Sequence, residues 1–363
     1  MIVSASNVLQ AQPDTNPRSV QMRVLDPLRE PAWDHGIASH RDRTCFHSSA
    51  WARVLYETYK HQPFYLQFFR DRRLVALVPL IEIRSPFTGS RGVCLPFSDL
   101  CEPLFFEPEV GECVRDQLLS FAQQRRWHHI EIRGGKCLGL APGPASSFYG
   151  HTLELSSDCT QMFRRFASSV RRAIRKADRS EVDVVVVRNR QAVEDFYQLH
   201  VETRRRHGLP PQSISFFRNI YEHILKPNVG FIVLARRGSR IIAAAIFFHF
   251  GNNAIYKYGA SDKRFQQFRA NNLVIWHGIR FLARIGVERI HFGRTECENG
   301  GLRRFKLSWD TQEQLINYYR VAPSGRQCLT PARRDSPLYK KIFGSLPLVF
   351  NRVAGSIIYP HLD

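Results

Sequence analysis

Runs of apolar residues broken by short polar turns recur along the chain at matching places in its two halves. Pro63 to Arg70 (PFYLQFFR) and Arg73 to Ile83 (RLVALVPLIEI) flank Asp71-Arg72, a pattern that predicts an antiparallel hairpin. Gly230 to Arg236 (GFIVLAR) and Arg240 to Phe250 (RIIAAAIFFHF) flank Gly238-Ser239 in the same way, and Gly at the first central position suits a type II′ turn. Downstream of each hairpin a helix end runs into a strand: Phe121 to Ile132 (FAQQRRWHHIEI) lays against Phe281 to Phe292 (FLARIGVERIHF). Both correspondences recur at an offset of roughly 160 residues, far beyond a solenoid period. The pattern predicts two related α/β domains in tandem, over 21–150 and 151–321, with the Gly/Pro/Ser-rich stretch Gly134 to Gly150 as the connector. Residues 1–20 are polar and read as a disordered start. Residues 322–363 read as a helical tail, in which Tyr339 to Tyr359 resumes an apolar pattern interrupted by Pro347.

The second half is richer in detail. Phe163, Phe166, Val170, Ile174 and Ala177 form one apolar stripe and predict a helix from Asp158 to Asp178. Arg164, Arg165, Arg171, Arg172, Arg175 and Lys176 cover its remaining surface with few acidic partners at i,i+4. A further helix, Gln191 to His207, ends in Arg204-Arg205-Arg206-His207-Gly208, a cationic last turn followed by a glycine stop. Leu209-Pro210-Pro211-Gln212 fixes the loop beyond it. In 256–310 an apolar strand ends at Gly259-Ala260-Ser261, and a polar, basic loop follows. Asn271-Asn272 cap an amphipathic helix, and a strand from Val287 to Phe292 leads into a loop ending at Lys306. A helix N-terminus placed where a strand finishes is a natural anion site, which suits a transferase that grips a phosphate-bearing donor.

Charge sharpens this picture. The 363 residues carry a formal net charge of +20, which attracts nucleic acid, anionic lipid headgroups or phosphate-bearing small molecules. The longest apolar stretch, Ile241 to Phe248, fits a buried strand and is too short to cross a bilayer. The eight cysteines form no C-x-x-C pair, and no histidine cluster has metal spacing, so neither a zinc site nor a disulfide framework is expected. With no secretory signal in view, the expected compartment is the cytoplasm, with association at the membrane surface left open. Cys297 lies between Glu296 and Glu298, whose charge disfavours a thiolate nucleophile. On composition alone a basic nucleic-acid-binding protein or a non-catalytic scaffold competes with the transferase, but no zinc finger, RNP1-like motif or Gly-x-x-Gly clamp is present.

The segments Arg171-Arg172-Ala173-Ile174-Arg175-Lys176-Ala177, Thr203 to Gln212, Tyr258-Gly259-Ala260-Ser261, Asn271-Asn272-Leu273, Phe292-Gly293-Arg294-Thr295 and Phe305-Lys306-Leu307-Ser308-Trp309 together resemble the FemAB family of the GNAT acyltransferase superfamily. The resemblance spans about Trp51 to Trp309 and extends to CelD/BcsL-type proteins of bacterial envelope and exopolysaccharide loci. It implies an α/β (α+β layered) fold of tandem duplicated GNAT-like domains, each a mixed, mostly antiparallel sheet flanked by helices. It implies transfer of an acyl group from acyl-CoA or aminoacyl-tRNA, as a co-substrate and not a tightly bound cofactor. The acceptor would be an amine of a cell-envelope or polysaccharide precursor. tRNA and the inner membrane face are the implied macromolecular contacts. Asp262 to Asn272 contains no glycine, so the acyl-CoA pyrophosphate signature R/Q-x-x-G-x-G/A is missing. No helical-arm insertion is evident either, and the donor stays open between the two.

Amide formation from an ester or thioester needs a neutral amine, a stabilised oxyanion and two substrates held together. For catalysis the resemblance and the local pattern point to Lys306, with Glu296, Glu298 and His291 as candidate bases. Donor binding falls to Arg294, Ser261, Tyr258, Asn271, Asn272, Arg171, Arg172, Arg175 and Lys176. Arg204, Arg205 and Gln212 are the candidates for substrate binding, and no metal is expected.

Overall fold

A computed structural model describes residues 20–30, 33–140, 143–326 and 337–362. The disordered start expected over 1–20 lies outside the described residues except for Val20. The first half runs β1 (Gln21–Leu25), α1 (Trp33–Ile37), α2 (Ser49–Tyr59), β2 (Gln62–Arg70), β3 (Arg73–Ser85), β4 (Gly89–Val93), β5 (Leu104–Phe105), α3 (Gly111–Gln124) and β6 (Ile130–Arg133). After β7 (Ser146–Glu154) come α4 (Cys159–Arg165), α5 (Ser168–Asp178), β8 (Asp183–Val187), α6 (Arg190–Arg206) and α7 (Ile214–Ile220). The second sheet segment is β9 (Gly230–Arg237), β10 (Arg240–Phe250), β11 (Asn253–Ser261), α8 (Ala270–Arg284) and β12 (Arg289–Glu296). The chain closes with α9 (Gly300–Leu307), β13 (Gln312–Val321), α10 (Pro337–Ser345) and α11 (Leu348–Ile358).

The strands form a single 13-stranded sheet in the order β1-β2-β3-β4-β6-β13-β7-β12-β11-β10-β9-β8, with β5 beside β3. The duplication is visible in it. β4 pairs in parallel with β6, and β11 in parallel with β12, while the hairpins before them are antiparallel. The middle of the sheet shows something the hydrophobic pattern did not. β13, from the end of the second half, pairs with β6 of the first, and β7 pairs with β12 and β13. Each half therefore completes the other's sheet. The stretch 134–150, expected as a connector, becomes a central strand from Ser146 onward.

Both predicted hairpins form, with distinct turns. Asp71 and Arg72 both have positive φ, +48° and +64°, as a type I′ turn requires, while Gly238 opens its turn at φ +59°. The helix expected over 158–178 breaks into α4 and α5, because Phe166 and Ala167 are extended at ψ 147° and 148°. The break has a physical cause: it lets the fully buried Phe166 ring pack 5.5 Å from Trp276 and 5.2 Å from Trp309. It also lets the Ala167 N–H donate to the Ser308 carbonyl at 2.9 Å. Asn271 and Asn272 do not cap α8. That position is held by Arg269 in the left-handed region, φ +57°, so both asparagines sit inside the first turn.

Helices cover the two faces of the sheet. α6 and α7 pack with α2 over one large apolar cluster, in which Trp51 lies 6.0 Å from Phe216. α5 and α8 cover the other face, around Phe247, Trp276 and Trp309. The tail is tied across both halves. The Asn351 side chain donates to the Phe343 carbonyl at 2.8 Å, His61 Nε2 meets the Pro360 carbonyl at 2.9 Å, and Arg91 donates to the His361 carbonyl at 2.9 Å. α11 approaches α6 so closely that a Cβ on Gly355 would lie 1.9 Å from the Pro211 carbonyl oxygen. Gly355→Ala is therefore expected to cost about 1–3 kcal/mol of docking stability. Hydrogen exchange checks this: amides of α10 and α11 should lose protection while those of β9 to β12 keep theirs.

Candidate active site

The parallel pair β11/β12 separates partway along its length. Pairing runs from Asn253↔Arg289 to Ile255↔His291 and stops there, although β11 continues to Ser261 and β12 to Glu296. The divergence starts at a bulge. Gly293 has φ +72°, a conformation that favours glycine, and the pairing of β12 with β7 shifts register between His291 and Arg294. Carbonyls of β12 turned away from β11 need other partners, since a buried unpaired backbone oxygen is costly. Lys306 supplies them. Its Nζ, on a side chain only 4% exposed, donates to the Gly293 carbonyl at 2.8 Å and the Arg294 carbonyl at 3.0 Å. Burial lowers its pKa to about 8, against the pull of Asp99. α9 is held in place for this: Asn299 caps its N-terminus through the Leu302 N–H, and Thr311 donates to the Lys306 carbonyl.

A compact charged network surrounds the bulge. Asp99, from the loop after β4, pairs with buried Lys257 of β11 at 2.7 Å. Burial alone would raise the Asp99 carboxyl, but Lys257, with Arg294 and His291, holds it well below the usual carboxylate range. Arg294 is in the strand, not after it as the sequence suggested, and its guanidinium lies 4.4 Å from the Phe148 ring and 5.1 Å from that of Tyr318. The Tyr318 hydroxyl donates to the Asp99 carbonyl at 2.6 Å. Lys257 of β11, Arg294 of β12 and Lys306 of α9, all from the second half, thus gather near a single carboxylate of the first, Asp99. Next to them, His151 Nε2 contacts Glu313 at 3.1 Å, and Glu313 takes both arms of Arg303 at 2.8 Å.

His291 is half-buried, and desolvation of its ring lowers its pKa to about 4. Its Nδ1 accepts the Gly293 N–H at 3.0 Å, so the neutral ring carries its proton on Nε2 and is a donor there, not a base. His291 also lines a cavity of about 340 Å³ between the halves, together with Asp42, Thr44, His47, Glu102 and Arg289.

A second cluster lies at the far end of β11. The Ser261 carbonyl accepts from Arg206 at 3.1 Å, and its hydroxyl accepts from the Asn271 side chain at 3.2 Å. A cavity of about 310 Å³ opens here, lined by Arg205, Arg206, Lys263, Arg264, Glu202 and Asp262, with Gly344 and Leu348 of the tail on its wall. Asp262 pairs with Arg240 and Arg264, at 3.0 and 2.7 Å. The first turn of α8 begins beside Ser261 with no side-chain cap.

The predicted residues therefore separate into groups. Lys306, Arg294 and His291 meet at the bulge, while Ser261, Asn271 and Arg205 meet at the basic cavity and Asn272 is half-buried in the adjoining turn. Glu296 and Glu298 are exposed in and just before the turn from β12 to α9. Arg172, Arg175 and Lys176 are exposed and Arg171 half-buried on α5, which packs against α8. Three others are not brought to either cluster's cavity. Tyr258 is half-buried among Phe196, His200, Phe216 and Phe217. Gln212 is occupied by His200 Nε2 at 3.0 Å, and Arg204 ties the Pro210 carbonyl to the Tyr359 hydroxyl. Asp99, Lys257 and Arg206 escaped the sequence reading. A lone lysine between Tyr256 and Tyr258 in an apolar strand was the available signal for Lys257. Among the described residues no group of His, Cys, Asp or Glu could hold a metal ion, and no helix is long and apolar enough to cross a membrane.

Residues 164–307 match the family described as Acetyltransferase (GNAT) domain. Among solved structures, FemX aligns over 82% of this chain and 96% of its own, with TM-score 0.64 at 14% identity. L-PGS from Bacillus licheniformis aligns over 88% and 98%, with TM-score 0.54 at 11% identity. A tandem GNAT protein from the clavulanic acid biosynthesis pathway aligns over 87% and 100%, with TM-score 0.53 at 7% identity. No curated protein matches the sequence. The fold is that of a tandem GNAT protein, and residues 164–307 are similar to the GNAT acetyltransferase domain.

Lys306→Met would strand two buried carbonyls, at an expected cost of about 2–4 kcal/mol. Urea denaturation should show this, with Lys306→Arg recovering part of the loss. A second expectation concerns acid. Burial lowers His47 and His291 to about 4 and His200 to about 3. Unfolded, each titrates near about 6.5. Between those values the unfolded chain binds more protons, so stability rises with pH there and is lost as pH falls from about 6.5 toward 4. Denaturation midpoints measured across that range should fall steeply, before the Asp99 carboxylate begins to titrate.

Proposed function

We propose that the protein transfers an acyl group from a phosphate-bearing carrier to the amine of a cell-envelope or polysaccharide precursor. One observation supports this above others: the gap between β11 and β12 opens beside the uncapped first turn of α8 and a cavity lined by Arg205, Arg206, Lys263 and Arg264. Guanidinium groups and helix N–H groups favour a pyrophosphate or phosphate diester at that point. The acyl arm would extend from there into the gap toward the bulge. Acyl-CoA is favoured over aminoacyl-tRNA as donor, since a cavity of about 310 Å³ suits a small carrier and among the described residues no arm reaches out for tRNA.

The acceptor amine would approach from the cavity between the halves. Its nitrogen lone pair forms the C–N bond, the C–S or C–O bond to the carrier breaks, and the amine proton leaves to a base. His291 Nε2–H and the cations at the bulge favour negative charge on the carbonyl oxygen. With Nδ1 of His291 already occupied, the carboxylates that could take the proton are exposed Glu296 and Glu298 and the cavity-lining Asp42 and Glu102.

Thermal-shift and turnover measurements with acetyl-CoA, longer acyl-CoAs and charged tRNA test this reading. Arg205→Ala with Arg206→Ala should raise the donor KM about tenfold and change kcat far less. If charged tRNA is the donor instead, neutralising Arg172, Arg175 and Lys176 should flatten the salt dependence of its binding. Failure of every donor to shift the melting temperature would remove acyl transfer as the function.

A further inference from the structure

α11 is packed inside out. At 3.6 residues per turn, Val349, Phe350, Val353 and Ile357 fall within one arc of about 100°. All four face solvent, with Val349, Phe350 and Ile357 exposed by 68, 64 and 61%. The side turned toward the protein holds Asn351, fully buried against the Phe343 carbonyl, and Gly355, buried against Pro211, flanked by half-buried Leu348 and Ile358. A helix bathed only in water buries its apolar stripe and exposes its polar one. The apolar surface extends past the helix. Ile342 of α10 is exposed, and so is Phe87 at the tip of the β3–β4 turn, whose ring lies 5.1 Å from that of His361 just after α11. Parts of both halves thus contribute to one apolar face.

Within the described part of the tail the charged side chains have one sign. From Ser336 to Leu362 the chain contains no Asp or Glu, while Lys340 and Lys341 are exposed on α10 and Arg352 is on α11. Near the end of α10 a Cβ on Gly344 would lie 3.7 Å from the Arg205 carbonyl oxygen, which sets these lysines close to the cationic end of α6. A second copy of the chain is a poor occupant, because a two-fold contact would bring Lys340, Lys341 and Arg352 toward their own copies. An anionic surface with an apolar interior complements both features.

We propose that α10, α11 and the Phe87 tip form a docking surface for anionic lipid bilayers, with the apolar stripe of α11 lying among the acyl chains and the lysines among the headgroups. The surface stands independently of acyl transfer, although Gly344 and Leu348 also line the basic cavity at the end of β11. Docking would therefore place that donor cavity beside the bilayer surface.

Flotation of the full chain with phosphatidylglycerol-containing and with pure phosphatidylcholine vesicles, at low and high salt, tests the proposal. The anionic vesicles should capture the protein at least about tenfold more strongly. Val349→Ser, Phe350→Ser and Ile357→Ser together should lower that capture about tenfold at both salt concentrations. Lys340→Glu with Lys341→Glu should remove mainly the low-salt part. These side chains are exposed, so the melting temperature should stay unchanged in every variant, and acyl-donor binding should stay unchanged in the triple serine variant, which separates this result from the fate of the acyl-transfer reading. Absence of capture by either vesicle would overturn the proposal. So would a wild-type dimer in sedimentation that the triple substitution converts to monomer, since a second copy would then cover the face.

Discussion

Everything at the centre of this molecule depends on two backbone carbonyls that have lost their neighbouring strand. β11 and β12 can separate only if the oxygens of Gly293 and Arg294 find donors, and the Lys306 ammonium provides both bonds from α9. A neutral side chain could not serve two acceptors as strongly, because a charged donor roughly doubles the strength of each bond. The cost is a cation held out of water, seen in the lowered pKa of Lys306, and Asp99 offsets part of it. The gap, the bulge and the charged network are consequences of one arrangement.

That arrangement explains why the two halves exchange their central strands. Asp99 comes from the first half, Lys257 and Lys306 from the second, while Arg294 rests on Phe148 of β7 and Tyr318 of β13. With β7 beside β12 and β13 beside β6, both aromatic walls of Arg294 come from the exchanged strands. A pair of independent domains joined by a linker would leave the guanidinium without them. The sheet is continuous because the site is built from both halves.

Much of the frame was legible in the residues themselves. The hairpins at Asp71-Arg72 and Gly238-Ser239 and the helix-to-strand passages at 121–132 and 281–292 follow from alternation and turn chemistry, which are local. The exchange of β7 and β13 was not legible, since nothing near Ser146 or Gln312 encodes which half each strand will join. The break at Phe166 also escaped, because a regular apolar stripe reads as one helix until Trp276 and Trp309 compete for the same ring. For the site, Lys306, Arg294 and Ser261 stood out through their motifs. Asp99 stands in a loop 158 positions from its partner Lys257, and nothing local to either residue marks the other.

The roles of the marked residues changed more than their positions did. Lys306 was expected to touch the donor, yet its Nζ bonds are to β12, so its effect on chemistry passes through the geometry of the gap. His291 was expected as a base, yet the bond from the Gly293 N–H fixes the tautomer that donates. In both cases the same glycine is responsible. Its positive φ turns its carbonyl toward α9 and its N–H toward the His291 ring, so one backbone conformation sets what two side chains do. Any substitution with a Cβ at Gly293 would disturb both together, and a change at either side chain alone would not.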